Sequence, residues 1–325
     1  MKILLTGING FVGTNLVRSL SDSHTLYGID IIPDVQYGVE QVHSWDKLTL
    51  APEAEVLIHL AGKAHDTSNT SAEQEYFDIN VGLTKRIFDH FLKSNAKKFI
   101  IFSSVKAVAD TIDGDELTED AIPAPRTPYG KSKLEAERYI LSQPVPNDKQ
   151  VYILRPCMIH GPGNKGNLNL LYNLVKKGIP YPLGAFENKR SFLSIDNLIF
   201  ILEHLFKTDN STFDIRHSIF DIPSGIYHLA DDEPLSTNQL IALMAESLKM
   251  KEKIWHIPPK VITAFARLGD KLNLTINSER LKKMTESYVV SNKKIKKALE
   301  IGSMPETAEE GMMATLRSFA EDLKS

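Results

Sequence analysis

Apolar positions in this chain fall into two patterns. Short runs without internal alternation occur at 2–6, 26–29, 56–60, 99–102, 151–154 and 226–229, as strands buried on both faces would have. Between them apolar residues recur every three or four positions. Phe11, Leu16, Val17 and Leu20 form one such set, and Phe77, Val81, Ile87, Phe88 and Phe91 another within 72–91. A further helix spans 127–141. Repeated strand–helix alternation predicts an α/β fold built on a doubly wound parallel sheet. The stretch 34–52 gives no clear pattern. Toward the C terminus Ser236 and Thr237 cap an amphipathic helix through Leu248, and further helices follow Pro259, Asn277 and Asn292, so this part is mainly helical.

The links between these elements carry the candidate chemistry. The first strand runs into Gly7-Ile8-Asn9-Gly10-Phe11-Val12-Gly13 and then a helix, the context in which a glycine pattern indicates dinucleotide binding. Gly7 allows the tight turn, Gly10 lets backbone approach a pyrophosphate, and Gly13 permits close helix–strand packing. With Asn9, Phe11 and Val12 they form the candidate cofactor cradle. The second strand ends at Asp30, about 20 residues on, where a carboxylate would accept hydrogen bonds from an adenosine ribose. It would repel a 2′-phosphate, which favours NAD over NADP. Asp46 is a weaker candidate for the adenine. After the third strand, Leu60, Ala61, Gly62 and Lys63, followed by Ala64 and His65, suit a second backbone approach to the cofactor. Asn80 falls inside the helix at 72–91 and would need partners if buried. The fourth strand ends at Ser103-Ser104, where ligands of open parallel sheets bind. The polar segment 109–126 reads as a loop over that site.

Thr127-Pro128-Tyr129-Gly130-Lys131-Ser132-Lys133 opens the helix that follows. Thr127 can cap it and Pro128 suits its first position. Tyr129 and Lys133 share one face. Lowering a tyrosine from about 10 by about three units takes roughly 4 kcal/mol of preference for the phenolate, much of which a nearby ammonium could supply.

Bulk composition narrows the class. In 325 residues, 38 Lys and Arg face 41 Asp and Glu, a net charge of −3, which favours neither nucleic acid nor an anionic membrane as partner, so any basic site is local. The single cysteine, Cys157, excludes an intrachain disulfide and fits a reducing compartment. No signal peptide is expected, and no run of about 18 apolar residues suggests membrane insertion. The expectation is a cytoplasmic protein that needs no metal.

Taken in order, Gly7/Gly10/Gly13, Asp30, His59-Leu60-Ala61-Gly62, Asn80, Phe102-Ser103-Ser104, Tyr129 to Lys133 and Leu154-Arg155-Pro156 resemble the extended short-chain dehydrogenase/reductases, most closely their nucleotide-sugar epimerase/dehydratase branch. The resemblance covers nearly the whole chain. It implies a Rossmann-type NAD-binding domain at 1–160, with 192–230 packing back on it, and a smaller nucleotide-sugar-binding domain from 161–191 and 231–325. It makes Ser104, Tyr129 and Lys133 catalytic. Tyr129 would move the proton of a sugar hydroxyl, Ser104 would bond the reacting oxygen, Lys133 would hold the nicotinamide ribose and tune the tyrosine, and Asn80 would position Lys133 or a water.

Val105 and Lys106 stand where dehydratases of this branch carry Asp-Glu, which disfavours water elimination. Substrate contacts implied by the resemblance are Ser104, Lys106, Asn167, Arg190 and Arg280, with Lys165 a weaker candidate. Arg190 is expected to bind the pyrophosphate. His160 reads equally as pocket lining or as structural. The expected activity is C4 epimerisation of a UDP-hexose or UDP-N-acetylhexosamine. The alternatives are a 4-ketoreductase and a non-catalytic dinucleotide-binding regulator. A homodimer through the helices beginning near Ala72 and Thr127 is expected.

Overall fold

In the computed structural model, which describes residues 1–63, 72–112, 114–207, 222–272 and 277–321, the unbroken apolar runs are strands. The first half comprises β1 (Lys2–Thr6), α1 (Phe11–Leu20), β2 (Thr25–Asp30), β3 (Gln41–Ser44), β4 (Val56–His59), α2 (Glu73–Tyr76), α3 (Gly82–Lys93), β5 (Lys98–Phe102), α4 (Pro128–Ser142) and β6 (Gln150–Pro156). The second comprises β7 (Met158–His160), α5 (Asn167–Lys176), β8 (Phe192–Ser194), α6 (Ile195–Phe206), β9 (Gly225–Leu229), α7 (Thr237–Ser247), α8 (Pro259–Lys271), α9 (Ser278–Thr285), α10 (Lys293–Leu299) and α11 (Ala308–Glu321). Ala64 and His65 lie outside the described residues.

Seven strands form one parallel sheet in the order β3-β2-β1-β4-β5-β6-β9. This is the Rossmann-type doubly wound arrangement, and it explains the missing alternation. Ile3 and Leu5 point into a core with Leu16 and Leu20 of α1 and Leu198, Leu202 and Leu205 of α6. Leu4 and Leu57 point the other way, onto Phe88, Phe91 and Phe99. Strand order reverses beside β1, so the carboxyl ends of β1 and β4 flank a crevice. Thr6 pairs with both Ile29 and His59 there.

A third cluster, with Leu168, Tyr172, Leu240, Met244, Met312 and Leu316, joins α5, α7 and α11. This is the smaller helical part. Ile295 and Leu299 of α10 instead enter the core of the sheet.

Several features were not foreseen, the separate two-stranded sheet of β7 and β8 among them. β3 occupies the patternless stretch as a four-residue edge strand, with Val42 its one buried residue. The stretch continues in a 3-10 helix, Trp45–Leu50. A π-helical turn, Phe77–Val81, joins α2 to α3, and its extra residue buries Tyr76 rather than Phe77. Helix α5 carries no visible start signal, because glycine and asparagine dominate the residues before it.

Candidate active site

Helix α4 starts as its sequence dictates. The Thr127 hydroxyl accepts the Gly130 N–H at 3.2 Å, and Pro128 sits in the first turn, where an N–H would have had no helical partner. From the preceding loop, Asp110 accepts the backbone N–H of Arg126 at 2.6 Å and of Thr127 at 3.3 Å. Gly130 then matters sterically. A Cβ there would stand 2.3 Å from the Lys106 carbonyl oxygen, so only glycine lets the first turn of α4 press onto the segment after β5.

That segment sorts its two serines by alternation. The buried Ser103 donates to the Glu137 carboxylate. Ser104 caps a short 3-10 turn, accepting the Lys106 N–H at 3.2 Å, and its hydroxyl meets that of Tyr129. Ser104, not Ser103, faces the tyrosine.

Tyr129 keeps part of its surface exposed, yet burial of its hydroxyl pushes the phenol above its ordinary pKa, and the bond with Ser104 offsets this only in part. The lowering expected from Lys133 is therefore corrected. The Lys133 Nζ donates to the Phe102 carbonyl at 2.9 Å, and burial brings its own pKa down to about 8 against the raising influence of Glu137. Desolvation of the phenol outweighs a cation that is engaged elsewhere.

Asn80, in the π turn, ties two parts of the site together. Its Oδ1 accepts the Lys63 N–H at 2.7 Å, and its Nδ2 donates to the Ser132 hydroxyl at 2.9 Å. It thus links the loop after β4 to the helix that carries Tyr129 and Lys133. Behind it lies a buried relay. The Thr84 hydroxyl donates to the Asn80 carbonyl at 2.6 Å, so at 3.0 Å it must accept from His59 Nε2. That leaves His59 Nδ1 to accept from the Thr6 hydroxyl at 2.7 Å. His59 is neutral in this chain of bonds, its pKa lowered to about 3 by burial and then by the charge of Lys133.

The glycine cradle fits a dinucleotide. Gly7 has φ +72, and a Cβ on it would lie 2.7 Å from the Ala61 nitrogen. A Cβ on Gly13 would lie 2.4 Å from the Ile8 carbonyl oxygen. The turn is thus packed backbone to backbone against Ala61, next to Leu60 at the end of β4. Gly10 precedes α1 without a side-chain cap, which leaves the helix N terminus, with Phe11 and Val12, open to phosphate. Asp30 accepts the Asn9 and Ile31 N–H groups at 2.8 and 2.7 Å, with lone pairs remaining for a ribose. Gly62 borders Lys133, whose Nζ would be 3.2 Å from an added Cβ. The Lys63 side chain pairs with Glu75 at 2.8 Å. Asp46 accepts from Ser44 at 2.5 Å, just past β3. Gln36 was missed, in the stretch without pattern. It donates to the Ile8 carbonyl at 3.0 Å and to Asn9 Oδ1 at 2.5 Å, folding its loop back over the turn.

On the opposite side Lys106 and Arg190 converge on Tyr288, also missed. Lys106 Nζ lies 3.9 Å from the Tyr288 ring centre and donates to the Asp110 carbonyl at 3.0 Å. Arg190 bridges to Tyr288 through the backbone and gives Nη2 to the Lys283 carbonyl. Its Nε is buried and has no hydrogen-bond partner among the described residues, a donor that suits an anion. Burial lowers the pKa of both Lys106 and Arg190.

Asn167 is exposed at the first position of α5, and Lys165 is exposed just before it. Arg280 is exposed on α9, one turn before Lys283, with its backbone N–H on the Asn277 cap. Among the described residues no side-chain bond joins Asn167 or Arg280 to the other candidates. His160 is sealed in the interior, its Nδ1 2.8 Å from the Thr315 hydroxyl on α11, which is a structural position.

The model of a family described as NAD dependent epimerase/dehydratase matches residues 3–215. The chain belongs to that family. Family membership makes it an enzyme with NAD as cofactor, and the cradle around Gly7 and Gly13 fits that group. A UDP-glucose 4-epimerase of Vibrio cholerae is 28% identical over 98% of this chain and 96% of its own length. An N-acetyl-alpha-D-glucosaminyl-diphospho-ditrans,octacis-undecaprenol 4-epimerase of Escherichia coli O157:H7 is 28% identical over 79% of this chain and 75% of its own. In fold, the chain resembles the UDP-glucose 4-epimerase of Thermotoga maritima solved with UDP-glucose. The TM-score is 0.73 at 19% identity, over 99% of this chain and 100% of that one.

Proposed function

We propose that this protein interconverts the C4 epimers of a nucleotide sugar, with a UDP-hexose or a UDP-N-acetylhexosamine as substrate. The observation that carries the reading is the meeting of Tyr129 with Ser104 beside Lys133, opposite the glycine cradle of an NAD family member. The full-length likeness to a UDP-glucose 4-epimerase supports it.

Held by the turn at Gly7, Gly10 and Gly13 and by Asp30, NAD would supply the hydride acceptor and donor for C4. The chain's own residues handle the proton. Tyr129 takes it from the C4 hydroxyl and later gives it back, while Ser104 bonds the oxygen and holds it in line. The raised Tyr129 pKa suits the return step. The outward step needs a cation near the phenolate, and Lys133, one turn along the same helix face, would supply it. Arg190, with its unpaired Nε, would hold the diphosphate, and Lys106 would line the sugar side. Val105 and Lys106 offer no acid for elimination. In this reading residues 1–160 with 192–230 hold the cofactor, 161–191 and 231–325 hold most of the substrate, and the active protein is a homodimer.

The test is to incubate purified protein with UDP-sugars and no added cofactor. The proposal expects C4 interconversion, slowed by roughly 10²–10⁴ in Tyr129→Phe. Net consumption of NADH or NADPH on a keto-sugar, without interconversion, would instead assign a ketoreductase. Inactivity of the wild type toward every nucleotide sugar would point to a regulatory protein.

A further inference from the structure

Helix α8 leaves an apolar stripe in water. Val261, Phe265, Leu268 and Leu272 follow one another at spacings of four, three and four and so share one face. They are 43%, 66%, 49% and 59% exposed. The buried residues of α8, Ala266 and Gly269, lie along the flank away from its lysines and arginine, and α8 packs on α9. Trp255, shortly before α8, and Met284, on α9, are exposed too. Large apolar residues exposed in series on one face usually mark a contact surface.

Charge identifies the partner. Lys260, Arg267 and Lys271 run along one flank of the stripe, all exposed. From residue 249 to 284 the sequence holds nine lysines and arginines against three acids, in a chain whose net charge is −3. Two of those acids are already engaged. Asp270 accepts the Ser278 N–H at 2.9 Å, and Glu279 pairs with Lys283. Protein–protein interfaces are depleted of lysine. A helix that carries Trp, Phe and Leu on one face and Lys and Arg beside them instead fits the surface of an anionic bilayer.

We infer that α8 is a peripheral docking element for an anionic phospholipid surface, with Val261, Phe265, Leu268 and Leu272 entering the interface and Lys260, Arg267 and Lys271 facing the headgroups. Among the described residues no helix is long and apolar enough to cross a membrane, so the contact is one of lying on, not spanning. The site lies close by, since α9, against which α8 packs, gives its Lys283 carbonyl to Arg190. Docking is independent of the reaction assigned to the site.

The experiment sediments the full chain with vesicles of phosphatidylethanolamine and phosphatidylglycerol, and with phosphatidylcholine alone. Trp255 serves as a fluorescent reporter, because the only other tryptophan, Trp45, is buried. Docking predicts co-sedimentation with the anionic vesicles, a blue shift in emission, and weakening as salt rises. Phe265→Ser with Leu268→Gln should abolish binding, and Lys260→Gln with Arg267→Gln and Lys271→Gln should weaken it by roughly tenfold or more. Neither set should change the melting temperature or turnover of a soluble nucleotide sugar. No binding to anionic vesicles at low salt, or binding that survives both sets, overturns the inference. So does a dimer that dissociates on Phe265→Ser with Leu268→Gln, which would give the face to a second copy.

Discussion

Arg155 holds Glu137 through Nε at 2.9 Å and Nη2 at 2.5 Å, with the two side chains 3% and 1% exposed. The pair joins β6 to α4 one turn beyond Lys133, and Ser103 from the end of β5 closes it from a third side. Removing one partner leaves a buried charge without compensation. Glu137→Ala or Arg155→Ala should therefore cost about 3–5 kcal/mol in denaturant melts, and the apolar double variant Glu137→Leu/Arg155→Met should cost less than either. Equal losses in all three would show that packing, not charge, holds this corner.

Two buried histidines should contribute to the acid limb of stability. His59 is held near about 3 by burial and then Lys133, and His228 near about 4 by burial and then Arg155. An unfolded histidine titrates at about 6.5. Between those values the unfolded chain binds protons that the folded chain refuses, so stability is complete above the unfolded pKa and falls as pH drops toward the folded ones. The melting temperature should fall from pH ~6.5 to ~4, and His59→Gln should flatten that slope. An unchanged slope would mean that His59 is protonated in the folded state.

If Tyr129 moves the C4 proton as proposed, Tyr129→Phe should reduce kcat by roughly 10²–10⁴ with little change in KM. Ser104→Ala should lower kcat less while leaving the melting temperature close to wild type. A Tyr129→Phe variant with wild-type kcat would remove Tyr129 from the chemistry.

Arg190→Lys tests the diphosphate contact. A planar fork with an unpaired Nε cannot be replaced by a point charge, and losing one charge-assisted bond costs about 1.5–3 kcal/mol. KM for the nucleotide sugar should rise about tenfold or more, with kcat nearly unchanged. A KM within twofold of wild type would place the diphosphate elsewhere.

Much of the sheet was legible because strands buried on both faces leave apolar runs, as 2–6 and 99–102 do. Caps were equally local: Thr127 and Ser236 act on residues three positions away. Contacts between distant segments were not legible. Tyr288 reaches Lys106 across the chain, and Gln36 reaches Asn9 from a loop without periodicity. The direction of the Tyr129 shift also escaped, since an i, i+4 pair fixes a shared face but not what desolvates it. Gly130 did leave a signal. A glycine in the first turn of a helix opposes helix propensity, and its reason is the Lys106 carbonyl pressed against it.

The central claim is that the hydride leaves C4 and returns to the same sugar while Tyr129 carries the proton. It is tested most directly with a nucleotide sugar deuterated at C4, incubated with the purified protein without added cofactor. The account predicts the C4 epimer with deuterium still at C4, formed roughly 10²–10⁴ more slowly by Tyr129→Phe. Epimer that has lost its label to solvent would contradict it.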